Sequence, residues 1–168
     1  MFLALGWLAE WLSTPHFFWN AVRLVPSFSL LAGYDLYYAP DAGPVSGHIY
    51  GPIGALAYLP AAITHSPAAA IRIGSLLSTI FYFLPAVWAV HRCWKSGRAT
   101  RSASLTGILL FGGLTLELDS LRYVAINIHV DSVALGFAMC ALVLVPSNIR
   151  EVHWQDMLPA ALCAVLSI

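Results

Sequence analysis

Two carboxylates, Asp35 and Asp41, bracket the run LYYAP inside a polar, turn-rich stretch, GYDLYYAPDAGPVSGHIYGP, that interrupts an otherwise apolar chain. A carboxylate sheltered from water has its pKa raised and can take a proton from a hydroxyl as a general base. The same residues also fit plain turns, Asp35 after Gly33 and Asp41 in PDAG. The stretch adds Tyr37, His48 and Tyr50, which suit either a cavity that stacks on a sugar ring or the aromatic belt of a membrane interface. Farther along, Arg72 and Arg122 supply cations for a phosphate. Arg72 sits about one turn inside an apolar run, where snorkelling to the interface accounts for it equally. His129 and Asp131, close to Asn127, bring polar groups to the start of another apolar run. Asp131 there suits a substrate cavity, and as an acid it also suits a helix N-terminus.

Two further groupings carry less chemistry. His48, His65 and His129 can share one side with Asp41 and Asp131, but no pair has the i, i+4 spacing of helical zinc ligands. No metal and no other cofactor is therefore expected. Cys93, Cys140 and Cys163 form no CxxC pair and sit in or beside apolar runs, as small buried hydrophobes do.

The elements that must hold these residues are set by composition. The chain has 168 residues, 60% hydrophobic and 10% charged, where a soluble domain carries about 25% charged residues. Eight basic and eight acidic residues cancel, which leaves no basic face for a nucleic acid. The expected fold is all-α: a polytopic transmembrane helix bundle with a long first outer loop carrying a juxtamembrane helix. Spans are expected at about 1–19, 66–90, 102–118, 131–145 and, incomplete, 157–168, in a single membrane domain. The start, MFLALGWLAEWL, lacks the basic region of a cleaved signal peptide, so it reads as a first span. The outer loop would run over 20–65. Within it, 51–63 is about 13 residues, too short to cross and suited to the interface. Gly51 and Pro52 open that helix.

Charge sets the orientation. The turn HRCWKSGRATR holds four cations and no acid, which places it in the cytoplasm. This requires that 51–63 does not cross. The segment 119–130 then becomes a short outer loop. The chain is expected to be a multi-pass integral protein of the plasma (inner) membrane, with loop 20–65 outside. Its last apolar piece stops partway through a span, so the expectation is the N-terminal part of a larger bundle, with a C-terminal half or a partner subunit to complete it.

In order, LLAGYDLYYAP, IYGPIGALAYLPAAI, AAAIRIGSLLSTIFYFLPAVWAVHRCW and NIHVDSVALGFAMCALVLV resemble the first outer loop and following spans of polytopic membrane glycosyltransferases of the GT-C fold class. The resemblance implies a polyprenyl-phosphate sugar as donor and transfer on the outer face with inversion. It implies that Tyr50 and Pro52 shape the rim of the site and that Arg72 and Arg122 lie near the lipid phosphate. A carboxylate would take the acceptor proton as the phosphate leaves, here Asp35 or Asp41. Tyr37, His48, Tyr50, His129 and Asp131 would line the cavity. The family's acid usually follows the first span, where this chain has HFFWNAVRL; Asn20 occupies the place and cannot act as a base. The alternative is a non-catalytic multi-span protein that binds a lipid or scaffolds a partner. A transporter-like bundle is disfavoured by the absence of internal repeats and of mid-span charge.

Overall fold

Proline and glycine decide where this chain breaks. The computed structural model describes residues 2–39, 41–42, 51–145 and 154–167, and all regular structure among them is helical. Helix α1 (Phe2–Ser13) ends in a single 3-10 turn at Thr14–His16, with Pro15 inside it, before α2 (Phe18–Leu31). Two short helices, α3 (Pro52–Ala57) and α4 (Leu59–Ala62), meet at Tyr58 and each begins beside a proline. Then comes α5 (Pro67–Lys95), the longest element at 29 residues. Ser66 caps it, accepting from the Ala69 N–H at 3.4 Å, and Gly97, at φ 70°, turns the chain out of it. Helices α6 (Arg101–Glu117), α7 (Asp119–Ile126), α8 (Val130–Leu144) and α9 (Trp154–Leu166) complete the order.

Among the described residues α5 alone is a single helix long and apolar enough to cross a membrane. Its 29 residues span roughly 43 Å, against about 30 Å of hydrocarbon. Helices α6 and α7 would make a second crossing only if counted together, and they bend by 103° where they join. Helix α8, with 15 residues, is shorter.

Several boundaries differ from expectation, each for a local reason. The first span over 1–19 is not one helix, because Pro15 breaks it after 12 residues of α1. The loop over 20–65 opens on a helix: α2 runs to Leu31 despite Pro26. The juxtamembrane helix over 51–63 is two pieces, because Tyr58 leaves the helical path to bury its ring, 1% exposed. The outer loop over 119–130 is mostly α7, whose Ala125 and Ile126 are buried. Residues 43–50, with His48 and Tyr50, lie outside the described residues.

Contacts fix the directions. Phe81 of α5 meets Phe137 of α8, and lower down Arg92 donates to the Val143 carbonyl, so α5 and α8 run parallel. Gly6 lies against Leu116, and Gly112 lies near Leu3, so α1 and α6 also run parallel. Trp11 Nε1 donates to the Arg72 carbonyl at 2.8 Å, which sets the end of α1 beside the start of α5. Hence the ends holding Trp11, Arg72, Glu117 and His129 gather at one end of the bundle, and Arg92 with Val143 at the other. Two apolar clusters hold it: Leu24, Tyr58, Ile71, Ile128 and Val133 in one, and Tyr82, Ala125 and Ile126 in the other. Tyr82 stacks on Phe111 at 5.6 Å to bring α6 in.

The closest backbone approach has a visible cause. Pro85 lies inside α5 and has no N–H for the carbonyl of Phe81, four residues back. Gly136 of α8 packs against that freed carbonyl; a Cβ at 136 would stand 2.7 Å from the Phe81 oxygen. Gly74 serves the same end, with Ile128 Cδ1 2.6 Å from where its Cβ would be. Gly107 and Gly113, by contrast, face open space. Gly136→Ala should therefore cost about 1–3 kcal/mol by forcing α5 and α8 apart. Gly107→Ala should leave stability unchanged or raise it by up to about 1 kcal/mol, the helix preference of alanine. Thermal melts of the two variants in one detergent check this; equal melting shifts would contradict the packing described.

Candidate functional site

The polar residues converge on a break in the helices. Between α7 and α8 the backbone is extended at Asn127 (φ −82°, ψ 154°) and His129 (φ −148°, ψ 130°). Ile128 between them is fully buried. Extended backbone in an apolar interior loses its helical hydrogen bonds, and each unpaired group is costly. Here side chains from four directions supply the bonds. Ser132 donates to the Val124 carbonyl (2.7 Å), Thr79 to Ala125 (2.9 Å) and Ser75 to Ile126. Arg23 Nη1 donates to the Ile128 carbonyl at 2.8 Å, and the Tyr58 hydroxyl to the His129 carbonyl at 2.8 Å. Asn20 Oδ1 accepts from the Ile128 N–H at 2.9 Å, while its Nδ2 donates to the Thr14 carbonyl and to Asn127 Oδ1, both at 3.0 Å. The Tyr58 oxygen also accepts from the His129 N–H at 3.3 Å, and Ser78 lies 2.7 Å from it as the remaining donor. Burial pushes the Tyr58 pKa up, which keeps its proton in place for these bonds.

Asn20 is therefore a structural clamp. It is 0% exposed, and every bond it makes uses the amide's mix of two donors and one acceptor. Little in its neighbourhood of the sequence signals this, because two of its three partners, Asn127 and Ile128, lie more than one hundred residues away.

His129 and Asp131 are brought together at the start of α8. His129 Nδ1 accepts from the Asp131 N–H at 3.2 Å and lies 3.1 Å from Asp131 Oδ2. One nitrogen cannot accept from the first and donate to the second together. Burial and the Arg23 guanidinium hold the His129 pKa below its ordinary value, against the opposing pull of Asp131. The neutral, capping form is thus favoured near pH 7. The ring of Tyr123 stands 6.0 Å from His129 and 5.6 Å from the Arg23 guanidinium carbon. Arg23 and Tyr123 are the additions the structure makes to the candidate set; the aromatic and cationic types were visible in the sequence, but their meeting across α2 and α7 was not.

The two expected phosphate ligands differ. Arg122 is engaged: it pairs with Asp119, lies 3.6 Å from Glu10 and donates to the Leu116 carbonyl at 3.1 Å. Arg72 is partly buried, and its Nε is buried with no hydrogen-bond partner among the described residues. A buried donor left in this state is the exception in folded proteins.

The expected catalytic pair is elsewhere. Asp35 and Asp41 are both exposed on the segment that follows α2, and no described contact joins them to His129 or Asp131. Tyr37, 52% exposed, lies on that same segment. An apolar groove of about 220 Å³ runs between α2 and the start of α5, lined by Leu24, Phe28, His65 and Ile71 among others; Asp35, Asp41, Tyr37, Arg72, Arg122, His129 and Asp131 do not line it. Among the described residues no three His, Cys, Asp or Glu side chains gather as a metal site.

No family model matches the chain, and no curated protein or solved structure matches it either.

Two outcomes are expected at this site. Asn20→Asp places a carboxylate against the Thr14 carbonyl and Asn127 Oδ1, two acceptors, and should destabilise the fold by at least about 1–3 kcal/mol; a melt with unchanged midpoint would contradict the clamp. His129 gives a pH dependence. With the native pKa below the ordinary 6.5, the unfolded chain takes the proton first. The stability tied to neutral His129 is therefore complete above about pH 6.5 and declines as pH falls through that value, until the native imidazole is protonated too. His129→Asn keeps a capping acceptor that does not titrate. Melting of the wild type should drop more between pH 7.5 and 5 than that of His129→Asn, and parallel curves would remove His129 as the cause.

Proposed function

We propose that the chain is a multi-pass membrane protein of GT-C-like architecture, which receives a polyprenyl-phosphate-linked sugar at the end of the bundle where α5 and α8 begin. The observation that carries this is Arg72. Among the described residues its Nε is a buried donor without a partner, on the one helix long and apolar enough to cross a bilayer. A phosphate oxygen meets that need, since guanidinium and phosphate pair through charge-assisted hydrogen bonds. The two short helices α3 and α4, and the exposed apolar rows on α2, α6 and α9, such as Val22, Leu109 and Leu162, agree with a lipid-facing bundle carrying an interfacial element.

In this reading the carboxylate that serves the acceptor is Asp131. It is fixed at the start of α8 beside His129 and the other polar residues of the helix break, whereas Asp35 and Asp41, exposed as it is, lie on the segment that follows α2. Transfer would have Asp131 take the acceptor's hydroxyl proton while that oxygen bonds to the anomeric carbon. The bond from that carbon to the phosphate oxygen breaks, and Arg72 stabilises the departing charge. Arg122, already paired with two acids, is left out of phosphate binding. One observation favours a second reading, lipid binding without transfer: Asn20 has become a clamp, so the family's acid position holds no base.

Binding of a polyprenyl phosphate and of the matching polyprenol to the purified chain tests the reading. The phosphate form should bind better, and Arg72→Gln should erase roughly 10- to 100-fold of that preference, the worth of hydrogen bonds to a charged group. An undiminished preference in Arg72→Gln would sink the proposal. Sugar transfer from a labelled polyprenyl-phosphate sugar, lost in Asp131→Asn, separates the enzyme from the lipid-binding reading.

A further inference from the structure

The opposite end of the bundle carries a charge arrangement that no ion pair among the described residues balances. Arg92, Lys95, Arg98 and Arg101 fall within ten residues and all are exposed. No acid occurs between Asp41 and Glu117, so neither α5 nor the turn after it offers a carboxylate. The ion pairs among the described residues lie at Arg122 and His129, at the other end.

The turn is firmly built. Gly97 donates to the Trp94 carbonyl and Arg98 N–H to the Cys93 carbonyl, both at 3.0 Å, closing α5 in the manner of a glycine C-cap. Thr100 then caps α6, accepting from the Ala103 N–H at 3.2 Å. This holds the cations in two different fields. Arg92 and Lys95 occupy the last turn of α5, where the helix dipole welcomes a cation. Arg92 also donates to the Val143 carbonyl. Arg101 is the first residue of α6 and Arg98 lies just before it, at the positive end of a 17-residue helix with no acid in its first turn. There the dipole repels a cation. Arg98 and Arg101 are thus placed against the local field, and an external anion resolves the conflict.

The surroundings identify that anion. Trp94, 46% exposed, stands beside the cations, and Val87, Leu105 and Leu109 are exposed on the two helices leading away from them. Apolar helix faces, then an aromatic, then a ring of cations is the sequence of environments from acyl chain to headgroup. We propose that the turn between α5 and α6 is a binding surface for anionic phospholipid headgroups, with Arg98 and Arg101 as the principal contacts and Lys95 in support. The proposal needs α5 to cross the bilayer, and it is independent of any chemistry at the other end.

The test uses the full chain in mixed micelles of equal parts phosphatidylglycerol and phosphatidylcholine, with retained lipids identified by native mass spectrometry. The wild type should retain phosphatidylglycerol over phosphatidylcholine by roughly tenfold or more, given three cations at the headgroup level. Lys95→Gln, Arg98→Gln and Arg101→Gln combined should abolish that preference. Arg92 is kept because it holds α8. The preference of the wild type should also shrink between about 0.05 M and 0.5 M salt. A melting midpoint of the triple variant equal to the wild type in pure phosphatidylcholine micelles excludes misfolding as the reason. An equal preference in wild type and variant, or none in the wild type, overturns the proposal. A chain that stays monodisperse after all amphiphile is removed overturns it together with the membrane reading.

Discussion

The polar demand of one buried stretch of extended backbone organises this molecule. Where α7 ends and α8 begins, residues 124–129 expose carbonyls and N–H groups that a continuous helix would pair internally. In an apolar surrounding such groups can be tolerated only if protein satisfies them. Seven side chains do so, from α2 (Asn20, Arg23), the α3–α4 joint (Tyr58), α5 (Ser75, Ser78 through Tyr58, Thr79) and α8 (Ser132). The stretch is therefore the place where the elements are tied to one another. The hydroxyls of Ser75, Ser78 and Thr79 recur on one face of an otherwise apolar helix because one face of α5 borders this stretch.

The same demand explains why residues that look chemical are structural. Asn20 faces two acceptors and one donor, which an amide matches and a carboxylate does not. Tyr58 donates to one backbone group of His129 and accepts from the other, so it keeps its proton and is held away from any ligand. Arg23 spends one nitrogen on the Ile128 carbonyl and sets its charge near His129, which in turn keeps the imidazole neutral and free to cap α8. The aromatic and polar residues nearest the break thus form a support for the site more than its working surface.

Much of this arrangement could be read from the sequence where the signal is local. Helix α5 is announced by a serine, a proline and a long apolar run, and it ends at the expected basic turn. Helices α6 and α8 fall within a residue of the expected bounds. Helix α2 was assigned to the outer loop, because its packing against Ile128 and Ala55 comes from far along the chain. Helix α7 was missed for a related reason: DSLR looks like a loop, and only the burial of Ala125 and Ile126 makes a helix there worthwhile. For the site, the pairing of His129 with Asp131 is two residues in length and visible; the clamp of Asn20 and the stacking of Arg23 on Tyr123 are long-range and invisible without the fold.

Elimination among the charges then narrows what the end holding Arg72 and His129 can do. Of its three arginines, Arg23 is committed to a carbonyl and an aromatic ring, and Arg122 is balanced by Asp119 and Glu10. Arg72 keeps an Nε that is buried and has no partner among the described residues, a costly state. Of the acids considered for catalysis, all three are exposed; Asp35 and Asp41 lie on the segment that follows α2, while Asp131 is anchored by its own N–H on His129. A phosphate-bearing ligand that satisfied Arg72 would be drawn to the end of the bundle where Asp131 is fixed. The unpaired Arg72 Nε and the exposed Asp131 carboxylate at that end are the ground on which the proposed transfer rests.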